Sequence, residues 1–282
     1  MRTVSLVLSS GGARGLAHIG AIEELESRGY KIVSIAGCSM GALVGGMYAA
    51  GRLSEFKQWM QSIDRRKMVS LIDFSLSINH LVKGVKVIDA LKEIVPDVNI
   101  EDLSIEYQAV ASDWKAGREV VFSKGSLYEA IRASISIPLF FNPVRNSDTL
   151  LVDGGVLNPL PLKHGSAMSG DLLVAVNVSG SDWAGDTRMK ALLQARRRHR
   201  RNLPASILAS ILPDNLYLNY VSIAQRMYSL MIQKNAELNI QIYKPDVLVE
   251  IPMNRFGSFD YDKVDKISNL GRVKMSEALS CF

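Results

Sequence analysis

Gly37-Cys38-Ser39-Met40-Gly41 decides how the rest of the chain is read. The apolar run Ile32 to Ala36 precedes these five residues and the Ala/Gly/Leu-rich run Ala42 to Ala50 follows them. The first run reads as a buried strand and the second as a closely packed helix, so Ser39 falls on the turn between them. A G-x-S-x-G turn of this kind strains the serine backbone and presents its Oγ at the sheet edge. Flanking glycines let strand and helix approach without Cβ overlap. The helix N-terminus adds partial positive charge beside the hydroxyl.

Upstream, Thr3 to Ser9 is β-branched and apolar and reads as the first buried strand. It runs into Ser10-Gly11-Gly12-Ala13-Arg14-Gly15. Leu16, Ile19, Ile22 and Leu25 then recur along one face of a helix over Leu16 to Arg28. Two successive strand–loop–helix units predict a parallel sheet covered by helices on both faces. Downstream, helices are expected from a Ser54 N-cap to Ser62, over Val85 to Val95, and over Ser126 to Ser134. A hairpin is expected at Tyr107 to Trp114 and Arg118 to Ser123. Further strands are expected at Thr149 to Val152, Leu172 to Val178 and Val247 to Ile251, and a last helix from an Asp260 cap to Leu279. Asp64 to Gly84 has no clear periodicity.

With 282 residues, 48% hydrophobic and 22% charged, the chain suits a globular α/β domain. No long linker or repeat divides it, so one domain over 1–282 is expected, with the motifs in 3–180 and a mainly helical extension over 181–282. A formal charge of +5 permits attraction to anionic surfaces but carries no sign of nucleic-acid binding. Cys38 and Cys281 are the only cysteines, which argues against a disulfide framework and for a reducing compartment. No stretch has the length of a membrane span or the form of a signal peptide. A cytoplasmic protein, peripheral to the inner membrane if it meets one, is expected.

A serine nucleophile needs a proton acceptor and donors for the oxyanion. Loops after neighbouring parallel strands open on one edge, which brings Gly11, Gly12, Ala13 and Arg14 beside Ser39 as candidate donors. A nucleotide site fits poorly: Gly15-x-Ala17-x-x-Gly20 lies inside a helix, and no acidic residue closes the second strand. For the base, Asp153 ends an apolar strand and precedes Gly154 and Gly155, where partial burial would raise its basicity. The order Ser39, Asp153, His164 leaves a three-residue arrangement open.

Taken together, Gly11-Gly12-Ala13-Arg14-Gly15 with Ala17-His18-Ile19-Gly20, Gly37-x-Ser39-x-Gly41, Arg132-Ala133-Ser134-Ile135-Ser136-Ile137-Pro138 and Asp153-Gly154-Gly155 resemble the patatin-like phospholipases. The compact bacterial members and the catalytic domain of neuropathy target esterase are the most similar. The resemblance implies a three-layer fold with a mostly parallel sheet between helices. It implies a Ser39–Asp153 dyad without histidine and an oxyanion hole at Gly11, Gly12, Ala13 and Arg14. Gly37, Gly41, Gly154 and Gly155 act as motif support, with no metal and no cofactor. It further implies hydrolysis of lipid acyl esters, of phospholipase A or lysophospholipase type. The alternatives are an esterase or thioesterase for soluble substrates, and a non-catalytic lipid-binding regulator. Two segments are expected to touch lipid: the basic cluster Arg196 to Arg201, and Leu216 to Ile232, rich in Met and Tyr.

Overall fold

A computed structural model describes residues 2–63, 85–138, 141–145, 148–181 and 220–282. The unassigned stretch Asp64 to Gly84, the basic cluster Arg196 to Arg201 and the first residues of the Leu216 to Ile232 segment lie outside the described residues. One sheet organises the chain. Its strands are β1 (Thr3–Leu8), β2 (Lys31–Cys38), β3 (Glu106–Asp113), β4 (Arg118–Phe122), β5 (Val144–Arg145), β6 (Leu150–Asp153), β7 (Leu172–Gly180) and β8 (Val247–Pro252). Hydrogen-bonded neighbours read β5-β6-β3-β2-β1-β7-β8, with β4 also paired to β3. The pairs β1–β2, β1–β7, β2–β3 and β7–β8 are parallel, while β4, β5 and β6 run antiparallel to their partners. The sheet is therefore mixed and mostly parallel, flanked by helices.

Alternation along the strands assigns the two faces. Val4, Leu6 and Leu8 of β1, Ile35 of β2 and Val174, Val176 and Val178 of β7 join the larger core. That core is closed by α1 (Ala17–Ser27), α2 (Met40–Ala49), α3 (Leu53–Ser62), α4 (Val85–Lys92), α5 (Leu127–Ser134) and α8 (Val264–Ser280). The intervening Val7, Ala36 and Ala175 face the opposite way, against α6 (Leu162–Gly165) and α7 (Tyr220–Tyr243). The C-terminal part thus adds an edge strand and covers both faces. α8 packs along α1, where Gly20 and Gly271 each sit against the backbone of the other helix.

Two helix starts differ from the sequence reading. Ser54 lies inside α3, whose N-cap is Arg52; Arg52 also pairs with Glu55 at 2.8 Å, one turn in. Asp260 caps the short turn Tyr261–Lys263 rather than α8, because its carboxylate is taken by the Gly257 N–H at 2.9 Å and by Lys263 at 2.8 Å. Ser126 does cap α5, accepting the Glu129 N–H at 3.1 Å.

Candidate active site

The strand pairing explains why two remote residues meet. Along one edge of β3, β4 places Val121 opposite Val110 and Val120 opposite Ala111. The other edge is shared end to end by two strands. β2 runs parallel to β3 and finishes with Cys38 opposite Val110, while β6 runs antiparallel and finishes with Asp153 opposite Ala111. The strand ends point at each other, and the chain must turn off at Ser39 on one side and at Gly154 on the other. Gly154 can turn there only without a side chain, since a Cβ would run into the Val110 carbonyl. Asp153 therefore does not sit on a loop beside Ser39, as parallel neighbours would have it. It faces Ser39 across a gap between collinear strands.

The Ser39 turn has the strained form its motif predicts. Ser39 holds φ 55° and ψ −122°, and its carbonyl accepts the Leu43 N–H at 3.0 Å to open α2. Positive φ is costly for a residue with a side chain, so the surroundings must hold it. Ser134 supplies that hold. Its Oγ accepts the Ser39 N–H at 2.8 Å and donates to the Val110 carbonyl at 2.6 Å. Two residues on, the Ser136 carbonyl accepts the Asp153 N–H at 2.8 Å. The Arg132–Pro138 block is thus a brace for both partners, a role that no spacing in the sequence announces. Gly41 completes the turn by lying against the Leu8 carbonyl of β1, where a Cβ would overlap it.

The Ser39 hydroxyl donates to Asp153 Oδ2 at 2.5 Å, and the Gly155 N–H donates to Oδ1 at 2.7 Å. Asp153 is 1% exposed. Burial disfavours its charged form and raises its pKa to about 7, outweighing the two hydrogen bonds that favour the carboxylate. Cys38 next door is pushed well above the usual thiol range, by burial first and by the negative charges of Asp153 and Glu119 after it. Its thiol is thereby kept in the protonated form.

The loop after β1 abuts this turn, with Gly15 pressed on the Met40 side chain. Gly12 takes φ +57°, and a Cβ there would lie 2.8 Å from the Ser258 carbonyl. That carbonyl accepts the Ala13 N–H at 3.0 Å, so the Ala13 amide is turned into the protein. The Arg14 guanidinium is buried and tied to the Val178 carbonyl at 3.2 Å and to the Phe256 carbonyl and Ser258 hydroxyl at 3.3 Å. Arg14 therefore shapes the loop with its side chain. The supports at Ser258 and Phe256 were invisible in the sequence, being more than 240 positions away with no motif of their own.

The described histidines are employed elsewhere. His18 donates from Nε2 to the Ser9 carbonyl at 2.9 Å, and burial lowers its pKa to about 4, so it is neutral. His164 Nε2 lies 2.7 Å from Glu119. His80 and His199 fall outside the described residues. Among the described residues no cluster of His, Cys, Asp or Glu could hold a metal ion, and no helix is long and apolar enough to cross a membrane. α7, on the second face, packs against the Gly154–Val156 turn that follows Asp153. Burial pushes its Tyr228 hydroxyl well above the usual range, with the charge of Asp153 adding to the effect.

A serine on a strained strand-to-helix turn, facing a buried carboxylate beneath a glycine loop, defines the class of site. Residues 6–164 match the patatin-like phospholipase family, and the chain belongs to that family. It is 50% identical over 185 residues to an uncharacterized NTE family protein of Mycobacterium bovis, a match covering 66% of this chain and 51% of that protein. It is 31% identical over 189 residues to lysophospholipase NTE1 of Candida glabrata, covering 64% of this chain and 11% of that protein. The chain spans about half the length of the first of these relatives and far less of the second. Among solved structures, VipD from Legionella pneumophila shares the fold at a TM-score of 0.52 and 15% identity, covering 99% of this chain and 67% of that one.

Proposed function

We propose that this protein is a lipid acyl hydrolase that works through Ser39 as nucleophile and Asp153 as base. The observation that carries the reading is the 2.5 Å hydrogen bond between Ser39 Oγ and a buried Asp153 whose pKa is about 7. A carboxylate of that basicity is matched to proton transfer near neutral pH. Ser39 Oγ attacks the ester carbonyl while Asp153 takes its proton and returns it to the departing alcohol oxygen. Water then attacks the acyl-enzyme, gives a proton to Asp153, and Ser39 leaves with that proton. The loop amides of Gly11 and Gly12 are the donors for the tetrahedral oxyanion, while the Ala13 N–H is committed to Ser258 and Arg14 lies within the 3-10 turn that starts at Gly12. Gly37, Gly41, Gly154 and Gly155 serve the close approaches that bring these groups together.

The substrate class follows from the family and from the relative named a lysophospholipase. Phospholipids, lysophospholipids or neutral acyl esters fit it. Peripheral contact with a lipid surface is part of the proposal, supported by exposed Met227 and Met231 on α7, the helix that carries Tyr228 beside the site. The test compares hydrolysis of lysophospholipid micelles with that of short p-nitrophenyl esters, using Ser39→Ala as the control. Preference for the micelles supports a lipid hydrolase, and preference for the short esters points to a soluble-substrate esterase.

A further inference from the structure

The glycine loop opens with a serine that the dyad's chemistry does not use. Ser10 is 3% exposed, and among the described residues its Oγ has no hydrogen-bond partner. A buried hydroxyl left unpaired is unfavourable, since it gave up water without gaining a partner. Its backbone is held on both sides: the N–H donates to the Pro159 carbonyl at 2.8 Å, and the carbonyl accepts the Ser179 hydroxyl at 3.0 Å. The position of Oγ thus depends on rotation about χ1 alone.

Ser10 also lies against the aspartate turn. A side-chain carbon built on Gly155 would stand 3.0 Å from Ser10 Oγ and 2.9 Å from Asp153 Oδ1. The two oxygens flank one spot, no more than about 6 Å apart, and glycine keeps that spot clear. Pro159 belongs to the segment leaving the same turn, where the Asn158 N–H donates to the Gly154 carbonyl at 2.8 Å.

The reaction changes the number of donors on Asp153. Before acylation its carboxylate accepts one hydrogen bond from Ser39 and one from Gly155. Once Ser39 Oγ is esterified its hydrogen is gone, and the carboxylate keeps the Gly155 N–H alone. We infer that Ser10 is a positioning residue for the second half-reaction, its hydroxyl turning about χ1 to donate to Asp153 in the acyl-enzyme. The inference rests on the Ser39–Asp153 reading of the site. Ser10 transfers no proton. Asp153, freed of the first proton by the departing alcohol, is kept ionised and aligned until it accepts one from the attacking water. That proton passes to Ser39 Oγ as the acyl C–O bond breaks.

The titratable groups that feel Asp153 are Cys38 on β2, Tyr228 on α7 and Tyr261 on the turn before α8. Burial pushes all three up, Tyr261 to about 12, so none of them titrates near pH 7.

The experiment follows p-nitrophenyl ester turnover by the full chain, with intact-mass detection of the acyl-enzyme. Ser10→Ala is expected to form the acyl-enzyme at the wild-type rate and to lose it about 3- to 10-fold more slowly, the worth of one hydrogen bond. The acid limb of kcat should move to higher pH while that of kcat/KM stays in place, and Ser10→Thr should restore both. Should Ser10→Ala fold poorly, Ser10→Gly removes the same hydroxyl and carries the same expectation. Unchanged deacylation in the variants without the hydroxyl overturns the inference, as does an equal shift of both limbs. Ester hydrolysis surviving in Ser39→Ala would instead overturn the underlying reading.

Discussion

Cys38 and Asp153 occupy consecutive positions along one edge of β3, opposite Val110 and Ala111 respectively. They belong to strands that run toward each other, and this head-to-head meeting places the residue after Cys38 within a hydrogen bond of Asp153. Ser39 and Asp153 are 114 positions apart in sequence and joined at 2.5 Å in the fold. The site depends on sheet register more than on loop conformation, and register is firmly specified where both faces are buried.

The pH dependence of hydrolysis should follow Asp153. Its carboxyl must be ionised to accept the Ser39 proton, and burial has moved its pKa from 3.8 up to about 7. Activity is therefore expected to rise as pH passes through about 7, well above the range of an ordinary aspartate. A kcat/KM profile from pH 5 to 9 checks this, and an acid limb near pH 4 would exclude so buried a base.

Stability should carry the same signature with the sign of a raised carboxyl pKa. Between pH 3.8 and about 7 the folded chain holds a proton on Asp153 that the unfolded chain has released. That contribution is present at low pH and lost as pH rises through the folded pKa. Asp153→Asn, which cannot ionise, should gain stability over wild type at pH 8 compared with pH 5. His18 acts oppositely, since its folded pKa of about 4 makes acid favour the unfolded chain, but it is common to both proteins. Urea midpoints at the two pH values measure the difference, and an equal offset at both would contradict it.

Ser134 should matter for both fold and rate. Removing its hydroxyl takes the acceptor from the buried Ser39 N–H and a donor from the Val110 carbonyl. Ser134→Ala is expected to lower stability by about 1–3 kcal/mol. It should also reduce kcat by about 10²-fold through a misplaced nucleophile. Thermal melts and steady-state kinetics on the same preparation report the two effects, and wild-type kcat would show that the brace is dispensable.

Gly12→Ala tests the loop. At φ +57° an alanine is strained, and its Cβ would press on the Ser258 carbonyl at 2.8 Å. The amides on either side would shift. Loss of one oxyanion donor costs about 10²–10³ in rate, so kcat is expected to fall by that order while far-ultraviolet circular dichroism stays native. Unchanged kcat would remove the loop from catalysis.

Much of this organisation was legible in the residues. The strand, turn and helix around Ser39, the glycine loop, and the apolar strand ending in Asp153 were all marked by local chemistry. Periodicity placed Leu16, Ile19, Ile22 and Leu25 on one buried face, and all four are fully buried. What stayed hidden was long-range. The antiparallel direction of β6 depends on tertiary pairing that no local pattern encodes, so the way Asp153 meets Ser39 could not be read from the residues around it. The braces at Ser134, Ser136 and Ser258 are single polar residues whose meaning lies in their partners. The starts of α3 and α8 differ from the expected Ser54 and Asp260 caps: α3 begins earlier, where Arg52 pairs with Glu55, and the Asp260 carboxylate is held by the Gly257 N–H and Lys263.

The most direct test is acyl-ester hydrolysis by purified wild type, Ser39→Ala, Asp153→Asn and His164→Ala, each confirmed as folded. The expected result is loss of turnover by about 10³-fold or more in both dyad variants and near-normal turnover in His164→Ala. Activity persisting in Asp153→Asn while failing in His164→Ala would contradict the central claim.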